Sequence, residues 1–172
     1  MNETMQTLLS RRSTKAYQDT PVPEDLLDKV LQAGLYAPTG RNNQNVVCVA
    51  VTNKVVRDQL SKMNAQVMGA ENDPFYGAPC VIVVLADATG TTWVEDGSLV
   101  LGNMLNAAHS LGLGNCWVHR ARQMFDSQEG KALLKQWGIP EHYQGIGNCI
   151  LGYAATEPAA KPRKEGRIIK VK

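Results

Sequence analysis

The chain lacks most of the features that would announce a function. No apolar run in its 172 residues reaches the ~20 residues of a membrane helix. Its start, Met1-Asn2-Glu3-Thr4, has neither the basic stretch nor the apolar segment of a secretory leader. Cys48, Cys80, Cys116 and Cys149 form no C-x-x-C pair, the spacing shared by redox pairs and zinc knuckles. His109, His119 and His142 have no ligand-like spacing to carboxylates or cysteines, which argues against a zinc centre. G-x-S-x-G, H-E-x-x-H and G-x-x-x-x-G-K-[ST] are all absent, which points away from hydrolase elbows, zinc peptidases and phosphate-loop enzymes. Gly145-Ile146-Gly147 opens like a dinucleotide fingerprint, but its third glycine is missing and it lies between a helix and a strand in the wrong order. Charge is nearly balanced at 18 Lys+Arg against 16 Asp+Glu, without the excess of a dedicated nucleic-acid binder. Aromatics are 6% of the chain and do not interleave with the basic residues, so an RNA-binding module is disfavoured.

What is present is the composition of a globular protein. Apolar residues make up 44% and charged residues 20%, enough to build a sizeable core. Residues 1–172 read as a single domain, soluble and cytoplasmic, because domains usually run ~100–200 residues. Three of the cysteines sit in Val/Ile-rich runs (V-V-C-V-A-V, P-C-V-I-V-V, N-C-I-L-G-Y), where a free thiol packs as a small hydrophobe.

Periodicity predicts a short helix over Thr4–Leu9, then an extended loop. A second helix starts at Pro23, with Glu24 and Asp25 in its first turn and Leu26, Leu27, Val30 and Leu31 on its apolar stripe. A strand is expected over Val46–Thr52, a helix over Val55–Met68 and a second strand over Cys80–Ala86. Trp93–Leu111 reads as a helix apolar on more than one face, the pattern of a buried or interface helix. Gly112-Leu113-Gly114 stops it before a strand at 115–119. Asp126 with Glu129 resembles a capping box opening a helix through Trp137, and Gly147–Ala154 a fourth strand. The tail beyond is basic and too poor in apolar residues to fold alone.

Three polar clusters carry the chemistry. Arg11-Arg12-Ser13-Thr14-Lys15 can converge guanidinium, hydroxyl and ammonium groups on one phosphate, or can simply be a solvated basic loop. Arg41-Asn42-Asn43-Gln44 offers amide donors and acceptors suited to the edge of a heteroaromatic ring, or amides that bond their own backbone. Lys161, Arg163 and Lys164 form a second cationic group near the far end, which suits either a phosphate or a solvated tail.

In order and spacing, these clusters resemble the FMN-dependent nitroreductase family. R-R-S-T-K-A-Y is similar to that family's R-x-S-x-[RK]-x-[FY] motif, and A-P-T-G-R-N-N-Q to A-P-[ST]-x-x-N-x-Q. N-M-L-N-A-A-H-S-L-G-L-G-N-C-W resembles the central helix with its glycine-stopped strand. K-P-R resembles the terminal phosphate-binding pair. Element alternation alone suggests a parallel α/β fold. The resemblance implies instead an α+β three-layer sandwich, a mixed and mostly antiparallel sheet flanked by helices. It also implies a homodimer around the long central helix, with FMN at the subunit interface.

Carried over residue by residue, the resemblance gives Arg11 and Ser13 to phosphate or ribityl oxygens and Lys15 to the pyrimidine side of the flavin. Arg12 lies close by. Thr39, Asn42 and Gln44 approach from the partner subunit. Trp117, Val118, His119 and Arg120 run past the ring with backbone N–H groups toward N5 and O4, and Lys161 and Arg163 close on the phosphate. The implied activity is ping-pong hydride transfer from NAD(P)H through flavin N5 to nitroaromatics, quinones or similar small acceptors. No acid, base or nucleophilic side chain is then indispensable. Alternatives are a flavin-binding or sensing protein without turnover, and specialised chemistry such as flavin fragmentation or reductive dehalogenation. Two departures stand out. The 69–78 stretch is too short for the helical lid of larger members, and His119-Arg120 replaces a Glu-Gly pair common in the family.

Overall fold

The computed structural model describes all of residues 1–172. Ten regular elements follow one another: α1 (Glu3–Ser10), α2 (Glu24–Leu35), β1 (Val46–Val51), α3 (Lys54–Met68), β2 (Cys80–Asp87), α4 (Trp93–Ser110), β3 (Gly114–Val118), α5 (Ala121–Asp126), α6 (Gln128–Gln136) and β4 (Tyr143–Gly152). Local chemistry sets the ends. Asn2 Oδ1 accepts from the Met5 N–H to start α1, and Asn53 Oδ1 accepts from Val55 and Val56 to start α3. α3 ends on Gly69 in the left-handed region.

The four strands form one sheet in the order β1-β2-β4-β3, every neighbouring pair antiparallel. β2 explains the layering. Its side chains alternate faces, and both faces are apolar. Ile82, Val84 and Ala86 pack with Leu27 and Val30 of α2 and with Val100, Leu101, Met104 and Ala108 of α4. Val81, Val83 and Leu85 face the other way, onto Leu60 and Met63 of α3, Met124 and Phe125 of α5, and Leu133 and Leu134 of α6. The result is the expected three-layer α+β sandwich. The parallel arrangement suggested by element alternation is thereby corrected. A strand buried on both faces has the same continuous apolar sequence whichever way its neighbours run.

Two element boundaries also differ from expectation. Asp126 closes α5 and caps nothing; Ser127 caps α6, its Oγ accepting from the Gly130 N–H at 3.0 Å. α5 escapes detection because six residues are too short to show helical periodicity. β4 begins at Tyr143, upstream of the expected Gly147, and its first half is hidden from sequence because glycines weaken a strand pattern. Those glycines serve close packing. A Cβ at Gly145 would lie 2.3 Å from the Ala121 backbone, and one at Gly147 2.6 Å from the Trp117 indole nitrogen.

α4 divides its apolar surface. Val100, Leu101, Met104 and Ala108 are buried in the chain's own core, whereas Val94 and Leu99 are 43% and 47% exposed. α1 buries no residue and leaves Met5, Leu8 and Leu9 open. No helix is long and apolar enough to cross a membrane.

Candidate functional site

Arg11 stands where α1 ends, and the segment after it runs along the sheet's edge strand. Ser13 forms a parallel bridge with Asn115 of β3, and the Thr14 N–H donates to the Asn115 carbonyl at 2.9 Å. The end of α4 lies close by, with Ser10 Oγ and His109 Nε2 2.7 Å apart. Burial, then the nearby Arg11 and Arg12 guanidinium groups, holds the His109 pKa below the ordinary histidine range. The Nη1 of Arg11 is buried and has no acceptor. Arg12 is occupied differently: its Nη1 donates to the Leu9 and Arg11 carbonyls, both at 2.8 Å, and so closes the end of α1. Ser13 and Lys15 are exposed. The Lys15 ammonium lies 5.7 Å from the centre of the Tyr76 ring.

Four residues up the strand from Asn115, roughly 13 Å at strand rise, the chain turns. Trp117 is half exposed, and its ring meets that of His119 edge-on at 5.7 Å between centroids. The Val118 side chain belongs to the core, so only its backbone faces this site. Arg120 holds the left-handed conformation, φ 79° and ψ 5°. The N–H groups of His119 and Arg120 donate to no acceptor in the chain. The Val118 and His119 carbonyls accept from the side-chain amides of Asn64 of α3 and Asn148 of β4, both fully buried.

Thr39, Asn42 and Gln44 lie elsewhere. Their loop hangs from the start of α4, where the Gly40 N–H donates to Asp96 Oδ1 at 2.8 Å. Thr39 Oγ1 accepts from the Gln44 N–H, and Gln44 Nε2 donates to Asn42 Oδ1. Arg41, Asn42 and Gln44 all carry positive φ, which fixes an outward-facing turn. From Asp96 to His109 is thirteen helical steps, roughly 20 Å at 1.5 Å per residue. One chain therefore does not bring this loop to Arg11. Lys161 and Arg163 sit on the exposed tail that leaves the sheet after Ala155, whose N–H donates to the Ala16 carbonyl, and they join no hydrogen bond or ion pair.

Residues 8–153 match the Nitroreductase family. The chain belongs to the nitroreductase family. It is 29% identical to a crystallised nitroreductase with bound FMN from Bacteroides fragilis, with TM-score 0.93 and all of both chains covered. A second FMN-bound nitroreductase structure, from Desulfitobacterium hafniense, gives 27% identity and TM-score 0.90, again over both whole chains. An FMN reductase [NAD(P)H] from Bacillus subtilis is 27% identical over 180 aligned positions, covering 95% of this chain and 70% of the relative.

Sequence reasoning missed several residues that shape this candidate site. Asn64 lies within the helix expected over 55–68 and Asn148 within the strand expected over 147–154, and neither is marked by type or spacing. Only burial reveals them. Tyr76 is placed by a staple between α3 and the loop before β2. Arg57, only 7% exposed, donates from Nε to the Ala78 carbonyl and from Nη2 to Asp73 at 2.6 Å. Asp73 also accepts from Ser61 and from the Phe75 and Gly77 N–H groups. Burial opposes its charge, but these donors win and hold its carboxyl below the usual carboxylate range. The cysteines are all free and mostly buried, as their runs suggest. Burial pushes the Cys48 thiol up to about 11 and Cys80 up to about 12.

Proposed function

We propose that this chain is a single-domain, FMN-dependent NAD(P)H oxidoreductase that reduces nitroaromatics, quinones or similar small acceptors as a homodimer. One observation carries the proposal: the buried Arg11 Nη1 beside Ser13 has no acceptor. A buried cationic donor left unmatched is unfavourable, and a phosphate would complete it with charge-assisted bonds. The unmatched N–H groups of His119 and Arg120, one strand length away, suit the polar edge of a flavin ring. Arg11 and Ser13 would hold the phosphate end of such a group, and His119 and Arg120 its ring end. The names of the relatives support the same cofactor.

When bound, FMN supplies the hydride chemistry between NAD(P)H and the acceptor. The protein's part is binding and electrostatics. Arg11 and Ser13 hold phosphate and ribityl oxygens, and Arg12 keeps Arg11 in place by closing α1. Lys15 sets a positive charge against the pyrimidine edge. His119 and Arg120 would donate from the backbone to the N5 and O4 edge, with Trp117 beside them.

Thr39, Asn42 and Gln44 complete the site of a second copy, because the length of α4 separates them from their own Arg11. The outward Val94 and Leu99 and the open face of α1 give that copy an apolar surface to cover. Lys161 and Arg163 ride on the exposed tail without a hydrogen bond or ion pair, and we assign them to the phosphate within the dimer. No side chain need act as acid, base or nucleophile.

Purified protein should be yellow, and NADH or NADPH added without oxygen should bleach it within seconds to minutes. Colourless protein that ignores added FMN would overturn the proposal. A bound flavin that neither nucleotide bleaches would reduce it to flavin binding without turnover.

A further inference from the structure

Arg120 occupies a conformation that favours glycine, with φ at 79°. A residue with a Cβ stays there only if its surroundings hold it. The structure supplies the hold. Asn64, 0% exposed on α3, accepts from Arg120 Nε at its Oδ1 (3.0 Å) and donates from Nδ2 to the His119 carbonyl (2.7 Å). Asn148, also 0% exposed, donates from Nδ2 to the Val118 and His119 carbonyls at 3.3 and 3.5 Å. Two interior amides thus draw the carbonyls of this turn inward, which leaves the His119 and Arg120 N–H groups free on the other side.

We infer that Asn64 is a positioning residue: by locking Arg120 in the left-handed region, it sets the direction of the two N–H groups assigned above to the flavin edge. The inference rests on the proposed function for what those groups meet, but the lock itself belongs to the protein alone. A flat ring is recognised at its edge only if both donors keep their direction, and a preorganised donor needs no rearrangement when the ligand arrives. Asn64 reaches the site from the opposite helical layer, through bonds to the backbone and to the Arg120 guanidinium, and touches no ligand.

Arg120→Ala and Arg120→Gly separate conformation from charge. Both remove the guanidinium, yet only glycine is at ease at this φ. In FMN-free protein, the backbone amide resonances of His119 and Ala121 should move in Arg120→Ala and in Asn64→Leu, and stay near their native positions in Arg120→Gly. In FMN-loaded protein, Arg120→Ala should slow anaerobic bleaching roughly ten- to a hundredfold, the usual effect of a misplaced positioning group, and shift the visible flavin band. Arg120→Gly should regain most of that loss.

Equal losses in the alanine and glycine variants would mean that Arg120 acts through its charge, which overturns the inference. Unmoved resonances in folded Asn64→Leu would overturn it too. If Asn64→Leu fails to fold, the comparison at Arg120, a half-buried residue, still decides. Moved resonances in a protein that takes up no FMN would refute the proposed function and leave the lock intact.

Discussion

Arg11 differs from the other basic residues of its cluster in having nothing to do within the chain. Arg12 closes a helix end and Lys15 rests near an aromatic ring, whereas one terminal nitrogen of Arg11 is buried without a partner. Each charge-assisted bond to a phosphate contributes on the order of 1.5–3 kcal/mol. Arg11→Ala should therefore weaken FMN binding roughly ten- to a hundredfold, at about 1.4 kcal/mol per decade. Riboflavin has no phosphate, so its weaker binding should change little. Fluorescence-quenching titrations of both ligands into both proteins check this, and equal losses would mean that Arg11 supports the fold.

Among the elements, the staple on the loop before β2 is the most exposed to chemistry. Removing Asp73 leaves the buried Arg57 side chain with Asp58 as its remaining carboxylate partner. Loss of one partner of a fully buried pair costs several kcal/mol, but Asp73 is 35% exposed and solvent screens it, so about 1–2 kcal/mol is expected for Asp73→Ala. Because the folded carboxyl titrates below its unfolded value of about 3.9, its contribution is complete above that pH. It fades as pH falls through the folded value. Urea denaturation should therefore show a constant gap between native and variant from neutral to mildly acidic pH, closing only in strong acid. The same loop illustrates what a sequence reveals. β1, β2 and α4 are legible because Val-rich runs and a long apolar helix admit few other interpretations. The Arg11 and Asn42 clusters are legible because polar groups concentrate there, whereas residues 117–120 are legible only through the family resemblance. Asn64 and Asn148 are not, since an amide's sequence neighbours do not disclose whether it is buried, and strand direction leaves no mark in a strand covered on both faces.

For the whole molecule, we assign the unburied apolar faces of α1 and α4 to the proposed contact with a second copy. Leu99→Arg places a charge in the surface we assign to the second copy, where desolvating an unpaired guanidinium opposes association. Sedimentation should show dimers of the native protein and a shift toward monomers in the variant, with FMN lost in parallel. A stable FMN-loaded native monomer would contradict the assignment. The reach of α4, which parts Asn42 from Arg11, also bears on inheritance. Two defective alleles, one altered at Arg11 and the other at Asn42, would each yield an inactive protein when expressed alone. In a cell carrying both, the mixed assembly would gather both lesions into one pocket and leave the other wholly native. Complementation between alleles of a single gene would then follow from the length of one helix.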